Sequence, residues 1–329
     1  MALRLIEMVV QKKDAEDIRN LIKEHKVLEH RSLQLSNDEV LIRILLDAAQ
    51  NEFVLDILEK NYSKTDGNRI VILPVEATLP RDTEDSAEVT EQKAPDKISR
   101  EELYEDIKNL ARFSLVYLAM IVLSTIVASV GLHNNSVAII IGAMVIAPML
   151  GPSIALALGT TLGDLTLLKQ AILTGLAGIT AVIILSTIIG AIVEINPSLT
   201  EIASRTHVGL GDVAVALASG CAGALSFTTG VSAALIGVMV SVALLPPLVA
   251  CGLLLGAGYG VLALGALYLF LMNFVCVNLS GVAMFLVQGI RPLSWWERGR
   301  AKKATLIAIG LWSITLASLI ILILLLNNS

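Results

Sequence analysis

Hydrophobic and polar positions keep two different rhythms along this chain, and the rhythm changes near residue 112. LRLIEMVV (3–10) places Ile6, Met8 and Val10 on one face at period two, as a half-buried strand requires. DAEDIRNLIKEHK (14–26) sets Ala15, Ile18, Leu21 and Ile22 on one helical stripe behind Asp14, a residue suited to a helix start. VLEHRSLQL and EVLIRILL flank the turn cluster Ser36-Asn37-Asp38 and read as a hairpin. NEFVLDILEKNY is amphipathic through Phe53, Val54, Ile57 and Leu58, and NRIVILPV closes the set as a strand ending at Pro74. The order β-α-β-β-α-β predicts a ferredoxin-like α+β domain over residues 1–77.

From residue 78 to 97 the chain reads TLPRDTEDSAEVTEQKAPDK, acidic, proline-punctuated and poor in large apolar residues, the composition of a flexible linker. A juxtamembrane helix over 98–112 follows, containing SREELYEDIKNLAR (99–112), with Ser99 and Glu102 in capping-box spacing and Leu103, Ile107 and Leu110 as an apolar stripe. This juxtamembrane helix lies at a membrane surface or continues into a first span.

Beyond residue 112 the apolar positions stop alternating and run on. A membrane-spanning helix needs about 20 mostly apolar residues. Seven stretches qualify: 113–132, 136–162, 168–194, 209–228, 231–257, 260–289 and 304–326. The fourth, GDVAVALASGCAGALSFTTG, is only weakly hydrophobic and reads either as a packed central helix or as a re-entrant element. Residues 113–329 thus form a polytopic α-helical membrane domain.

Charge sharpens this picture. The chain is 55% apolar and only 16% charged, with a mean hydropathy of +0.76. From Phe113 to Ile290 the Asp, Glu, Lys and Arg residues are Asp164, Lys169, Glu194, Glu201, Arg205 and Asp212. With the N-terminal domain in the cytoplasm, the inner ends hold Lys108, Arg112, Lys169 and the basic run RPLSWWERGRAKK, with Trp295 and Trp296 as interfacial anchors. Arg205 is the basic residue of the opposite side. The expected placement is a multi-pass protein of the plasma (inner) membrane, N-terminus inside and C-terminus outside. The N-terminus has no apolar core long enough for a secretory signal. Cys221, Cys251 and Cys276 fall in apolar spans and read as small buried hydrophobes.

One motif breaks the helical rhythm twice. IGAMVIAPMLGP (141–152) aligns without a gap to IGVMVSVALLPP (236–247), with Ile, Gly, Met, Val, Leu and Pro matched at six of twelve positions. Each copy carries proline well inside a hydrophobic span, where proline removes a donor and clashes with the preceding turn. The copies fall three spans apart and so enter the membrane in opposite directions. This predicts an inverted repeat, about 113–194 and 209–289, with an extra helix at 304–326. Paired interrupted helices in inverted repeats point to a transporter site near the bilayer midplane, because freed backbone groups must line protein or a wet cavity rather than lipid. Pro148, Gly151, Pro152, Ser153, Ser241, Pro246, Pro247 and Asn273 are the expected substrate-binding residues. Gly151-Pro152-Ser153 reads as the start of a half-helix, and Pro246-Pro247 as its counterpart. Half-helix N-termini suit an anion or a polar neutral solute; unwound carbonyls suit a cation.

Ser136, Thr160, Thr161, Ser226, Thr228, Thr229, Ser232 and Asn278 are polar neighbours for which helix packing is the simpler reading, as it is for Gly252 and Gly256. Ionisable residues sit at span ends and His133 and His207 in outer loops, unlike the intramembrane charges of pumps and voltage sensors. An enzyme is not expected, nor a cofactor, a metal or a nucleic-acid partner; the partners are the lipid bilayer and a small solute, with homo-oligomerisation left open. The alternative function is a membrane-anchored sensor or scaffold whose cytoplasmic domain binds a ligand or partner. Channel and carrier are not separated.

NNSVAIIIGAMVIAPMLGPSIALALG, Asn134 to Gly159, resembles the signature of a bacterial and archaeal membrane family known as an uncharacterised hydrophobic domain (domain of unknown function, family 389). The SREEL helix and LLPPLVACGLLLG are similar to its pattern, and the likeness extends over about residues 100 to 270. The resemblance implies a membrane protein and brings no assigned activity.

Overall fold

The computed structural model describes residues 3–23, 27–47, 54–55, 57–58, 70–75, 100–229, 233–290, 310 and 313–318. The chain divides into two compact units, Met1–Leu103 and Tyr104–Ser329.

The first unit is a four-stranded antiparallel sheet with helical residues packed on one face. Its strands are β1 (Leu3–Gln11), β2 (Glu29–Gln34), β3 (Glu39–Asp47) and β4 (Ile70–Val75), in the order β2-β3-β1-β4. The period-two pattern has its expected effect: Ile6, Met8 and Val10 of β1 and Ile42, Ile44 and Leu46 of β3 are buried together. Antiparallel register places Ile6 opposite Ile44 and Met8 opposite Ile42, so one face is apolar along both strands. Helix α1 (Lys12–Lys23) delivers Ile18 to this face, and the helical residues Val54, Leu55 and Leu58 complete it. The hairpin turn is held by Ser36, whose hydroxyl accepts from the Glu39 amide at 3.2 Å. Glu7 pairs with Arg43 and Glu29 with Arg31. Among the described residues no group of three or more His, Cys, Asp or Glu side chains gathers; His25 and Ser99 lie outside them.

Helix α2 (Arg100–Leu110) carries the chain across the boundary between the units. Leu103 and Ile107 are buried as its pattern predicts. The third member of the stripe, Leu110, is 46% exposed, and Ala111 is buried. The i, i+4, i+8 row, rather than i+7, therefore forms the covered face.

The second unit is helical: α3 (Leu115–His133), α4 (Val137–Ile146), α5 (Leu150–Leu162), α6 (Leu165–Ile192), a short α7 (Thr200–Ala203), α8 (Leu210–Thr229), α9 (Ala233–Gly256) and α10 (Gly260–Val287). Four helices are long and apolar enough to cross a membrane, five if the bent pair α4–α5 is one span, among the described residues. This is coarser than the seven anticipated; of the seventh stretch only residue 310 and residues 313–318 are described, and they are helical. Asp164 caps α6 by accepting from the amides of Thr166 and Leu167, and Gly163 ends α5 in the left-handed region. The doubtful fourth stretch is one unbroken helix, α8.

Helix pairing in this unit follows a regular scheme. α4 packs on α3, α5 on α6, and α3 on α6; likewise α9 packs on α8 and α10, and α8 on α10. Between these sets α9 contacts α6, α3, α4 and α5, while α5 contacts α10 and α8. Small residues allow the closest approaches. A Cβ on Gly252 would strike the Ser186 hydroxyl, and one on Gly256 the Thr187 carbonyl, so both glycines serve the α6–α9 contact as anticipated.

Candidate functional site

The break in the first motif is real and has a local cause. α4 ends at Ile146, α5 begins at Leu150, and the two axes meet at 56°. Ala147, the residue before Pro148, sits at φ −69° and ψ 118°, the extended conformation that a following proline favours. Pro148 cannot donate to the carbonyl of Met144, nor Pro152 to that of Pro148, so two helical bonds one turn apart are missing.

The second motif departs from expectation. α9 runs unbroken from Ala233 to Gly256 with Pro246 and Pro247 inside it, so Pro246-Pro247 does not open a half-helix. The physical reason lies in what surrounds it. Leu244, Leu245, Leu248 and Val249 are buried, and packing holds the helical path through the prolines. The carbonyl that Pro247 orphans, that of Ala243, accepts instead from Asn273 Nδ2 at 2.8 Å, a bond from α10.

The two motifs meet. Ser241 Oγ, in the second copy, donates to the Ala147 carbonyl at the first copy's break, 3.1 Å away. In a straight helix that carbonyl would take its bond from the Gly151 amide. Of the polar side chains singled out by sequence, Ser241 and Asn273 therefore reach carbonyls that a regular helix would have satisfied. Ser153, Thr160, Thr161 and Ser226 bond the carbonyl four residues back in their own helices, the packing reading. Thr228 also accepts from Gln288 Nε2 at 2.5 Å.

Beside the break lies a cavity of about 330 Å³. Met149, Pro152, Ser153 and Leu156 line it from the first copy and Leu244 from the second; Tyr117, the Ala171–Ile179 face of α6 and the Phe270–Phe274 face of α10 complete the wall. Its polar lining groups are few, and the Ser153 hydroxyl is committed to Met149 O at 3.0 Å. Pro152 and Ser153 thus reach the cavity; Pro148 lies in the break, and Pro246 and Pro247 are buried in α9. Gly151 has another neighbour: a Cβ there would strike the carbonyl oxygen of Leu110, at the end of α2. The buried amide oxygens of Asn273 and Asn278 have no hydrogen-bond partner among the described residues.

Helix α2 is fastened close by. Tyr104 OH donates to Asp164 Oδ2 at 2.6 Å, and Gln170 Nε2 donates to Lys108 O at 2.9 Å. Burial raises the Asp164 carboxyl, but the Tyr104 hydroxyl, the Leu167 and Thr166 amides and the Lys108 charge outweigh it and leave the group below its ordinary value. Burial and the same bond push the Tyr104 phenol up to about 12. Sequence reasoning placed Asp164 merely at a span end; no local pattern marks its pairing with a residue sixty positions earlier. The cavity walls of α3, α6 and α10 were equally silent, since Gly175 or Phe270 looks like any other residue of an apolar span.

The family model described as a domain of unknown function (DUF389) matches residues 144–279, which include the second proline motif whole and the first from its fourth residue on. The chain is 38% identical over 282 residues to an uncharacterised protein of Methanocaldococcus jannaschii, covering 86% of this chain and 87% of that protein. No solved structure matches the chain. With the relative aligned across nearly its whole length and the family model centred on the proline-bearing helices, the chain belongs to the DUF389 family.

Proposed function

We propose that the helical unit is an integral membrane transporter or channel for a small solute, with its site where the broken α4–α5 span meets the proline-bearing α9. The observation that carries this reading is the Ser241–Ala147 bond between the two proline motifs, with a cavity beside it walled by both copies. Helix pairing supports an inverted repeat. Exchanging α3, α4–α5 and α6 with α8, α9 and α10 turns α3–α6 into α8–α10, and α9–α6 into α5–α10, each of which is a contact in this fold. The strand order β2-β3-β1-β4 supports a ferredoxin-like reading of the first unit. The charge pattern supports a multi-pass protein of the plasma membrane with its N-terminus inside and its C-terminus outside. The proposal involves no catalytic step and no cofactor; the Asp, Glu, Lys and Arg residues from 113 to 290 fall at the ends of the expected spans or between them. The partners are the bilayer and the solute, with homo-oligomerisation open.

A cysteine scan tests it. With Cys221, Cys251 and Cys276 replaced, single cysteines through 148–153 and 244–248 should include positions that a hydrophilic thiol reagent labels in membrane vesicles. Uniform protection of both windows would remove a hydrated path for a polar solute, and flux in vesicles then decides whether the helical unit transports at all.

The second reading is a membrane-anchored sensor or scaffold, favoured by a first unit that has its own sheet and buried core. Solute flux that survives deletion of residues 1–97 counts against it; a ligand-dependent change in the first unit without flux favours it.

A further inference from the structure

The cavity beside the break has a chemistry that neither motif announced. Its position between two proline motifs suggested a polar solute, yet its walls are almost wholly hydrocarbon and aromatic, with Tyr117 and Ser153 as the hydroxyl-bearing residues and the Phe270 and Phe274 rings 6.1 Å apart on one side. Cavities lined in this way favour apolar guests, because water entering one finds few hydrogen-bond partners. An empty one forfeits the dispersion contacts of every lining atom. Three wall residues, Ile172 (46% exposed), Leu176 (55%) and Leu271 (43%), also stand on the outer surface of the helical unit, on α6 and α10. The mouth therefore opens sideways, onto the surface that the proposed membrane placement gives to lipid tails. Behind it Ser153 and Leu156 are almost wholly buried.

We propose that this cavity takes a single acyl chain of a bilayer phospholipid, entering laterally between α6 and α10, and that the substrate of the site is an amphiphile of this class rather than a hydrated ion or a polar solute. The second half of the statement rests on the transport reading; the first rests on the membrane placement alone. The choice of a bilayer lipid follows from the mouth, whose rim is apolar on both helices and whose only neighbour in a membrane is the hydrocarbon region. Transfer of a chain from lipid into the cavity gains no hydrophobic free energy. Its gain is packing, and it grows with the fit of the chain to the wall. Gly175 is the control point: it lines the cavity, and a Cβ there would meet only Pro152 Cβ at 3.6 Å, an ordinary contact. A larger side chain at 175 therefore has the cavity as its available space.

The full-length protein is reconstituted in phosphatidylcholine vesicles containing phosphatidylcholine with a diazirine midway along one acyl chain, irradiated, and its adducts mapped by peptide mass spectrometry. Adducts are expected behind the rim, on Met149, Ser153 or Leu156, which lipid on the outer surface does not reach. In Gly175→Leu these should fall at least tenfold, while adducts at the outward-facing Val261 and Leu264 stay unchanged. Adducts confined to outward-facing residues in the native protein overturn the chain site whether or not the variant folds; so does an undiminished inner signal in a folded Gly175→Leu protein. A parallel flux assay uses the same vesicles with fluorescent phosphatidylcholine and with a panel of water-soluble ions and neutral solutes. Flux of a water-soluble solute without inner adducts overturns the proposal and leaves the transport reading standing. Inner adducts with no flux of any probe overturn the transport reading and the substrate half, and leave the chain site.

Discussion

Asn273 supplies the hydrogen bond that Pro247 removes, and a double-mutant cycle between them reads this substitution directly. The amide of Asn273 donates to Ala243 O at 2.8 Å, the carbonyl four residues before Pro247, and Asn273 itself is buried. Replacing Asn273 by Leu keeps the branched outline at a larger volume, a packing change common to both backgrounds, and leaves that carbonyl without a donor. A buried carbonyl left unsatisfied costs about 1–3 kcal/mol, while hydrogen bonds between membrane helices average about 0.6 kcal/mol with a maximum near 1.7. Leu also deletes an amide oxygen that has no partner among the described residues, which offsets part of the loss. A net cost of about 1 kcal/mol is expected, roughly fivefold in the unfolding equilibrium. In the Pro247→Ala background the amide of residue 247 can bond Ala243 O itself, and Asn273→Leu should then be neutral or slightly stabilising. The assay is reversible unfolding of the purified protein in mixed micelles, followed by helicity as denaturing detergent is added. An Asn273→Leu cost that agrees in the two backgrounds to within about 0.3 kcal/mol, the usual scatter of independent sites, would refute the reasoning.

Other consequences are open to measurement. Gly151→Ala should destabilise by roughly 1–3 kcal/mol because its Cβ meets the Leu110 carbonyl. Gly142→Ala, with nothing within 4 Å, should gain up to about 1 kcal/mol, and equal melting temperatures for the two variants would contradict this. Asp164 has a folded-state value below its ordinary 3.8, so its stabilisation is present above that value and lost as pH falls through the lower one. Asp164→Asn should accordingly narrow its stability gap to the native protein only below about pH 4, and a constant gap from pH 7 to 3 would count against the assignment. Tyr104→Phe removes one charge-assisted bond to Asp164 and should cost about 1–2 kcal/mol, read from thermal unfolding; no shift would mean that the bond is idle. Gly252→Ala should weaken the α6–α9 contact, since its Cβ meets the Ser186 side chain, and detergent resistance should fall with it.

Much of the fold was legible because it rests on local pattern. The alternation in LRLIEMVV fixed which face of β1 is buried, and Ser36-Asn37-Asp38 marked the hairpin correctly. Six of the apolar stretches fall on described helices, because unbroken hydrophobicity over some 20 residues leaves the backbone few alternatives. The site was legible only as far as proline chemistry carries. Pro148 and Pro152 marked the break at Ala147–Met149 within a residue or two. The same logic failed at Pro246-Pro247, where Asn273, from a helix 26 residues further on, replaces one missing bond and buried leucines hold the path. The row ending in Ala111 rather than Leu110, the Tyr104–Asp164 pair and the cavity walls all depend on which helix lies beside which. Residue spacing does not encode that.

The different fates of two near-identical motifs follow from the placing of their prolines. In the first copy the prolines stand four apart, at 148 and 152, so donors are lost on successive turns of one face and Ala147 moves into the extended region. In the second they are adjacent, and the lost bonds fall on the neighbouring carbonyls of Val242 and Ala243, within a single turn. One turn can be spanned by a side chain, and Asn273 does so for Ala243; two turns cannot, and the helix bends. The bend exposes the Ala147 carbonyl, and Ser241, at the place of Ile146 in the alignment, supplies its donor. Each copy is thus completed from outside itself: the break by the second motif, and the second motif by α10. A backbone satisfied in this way is held by two side-chain bonds rather than by its own ladder, so Ser241 and Asn273 are where any rearrangement of the two motifs must begin.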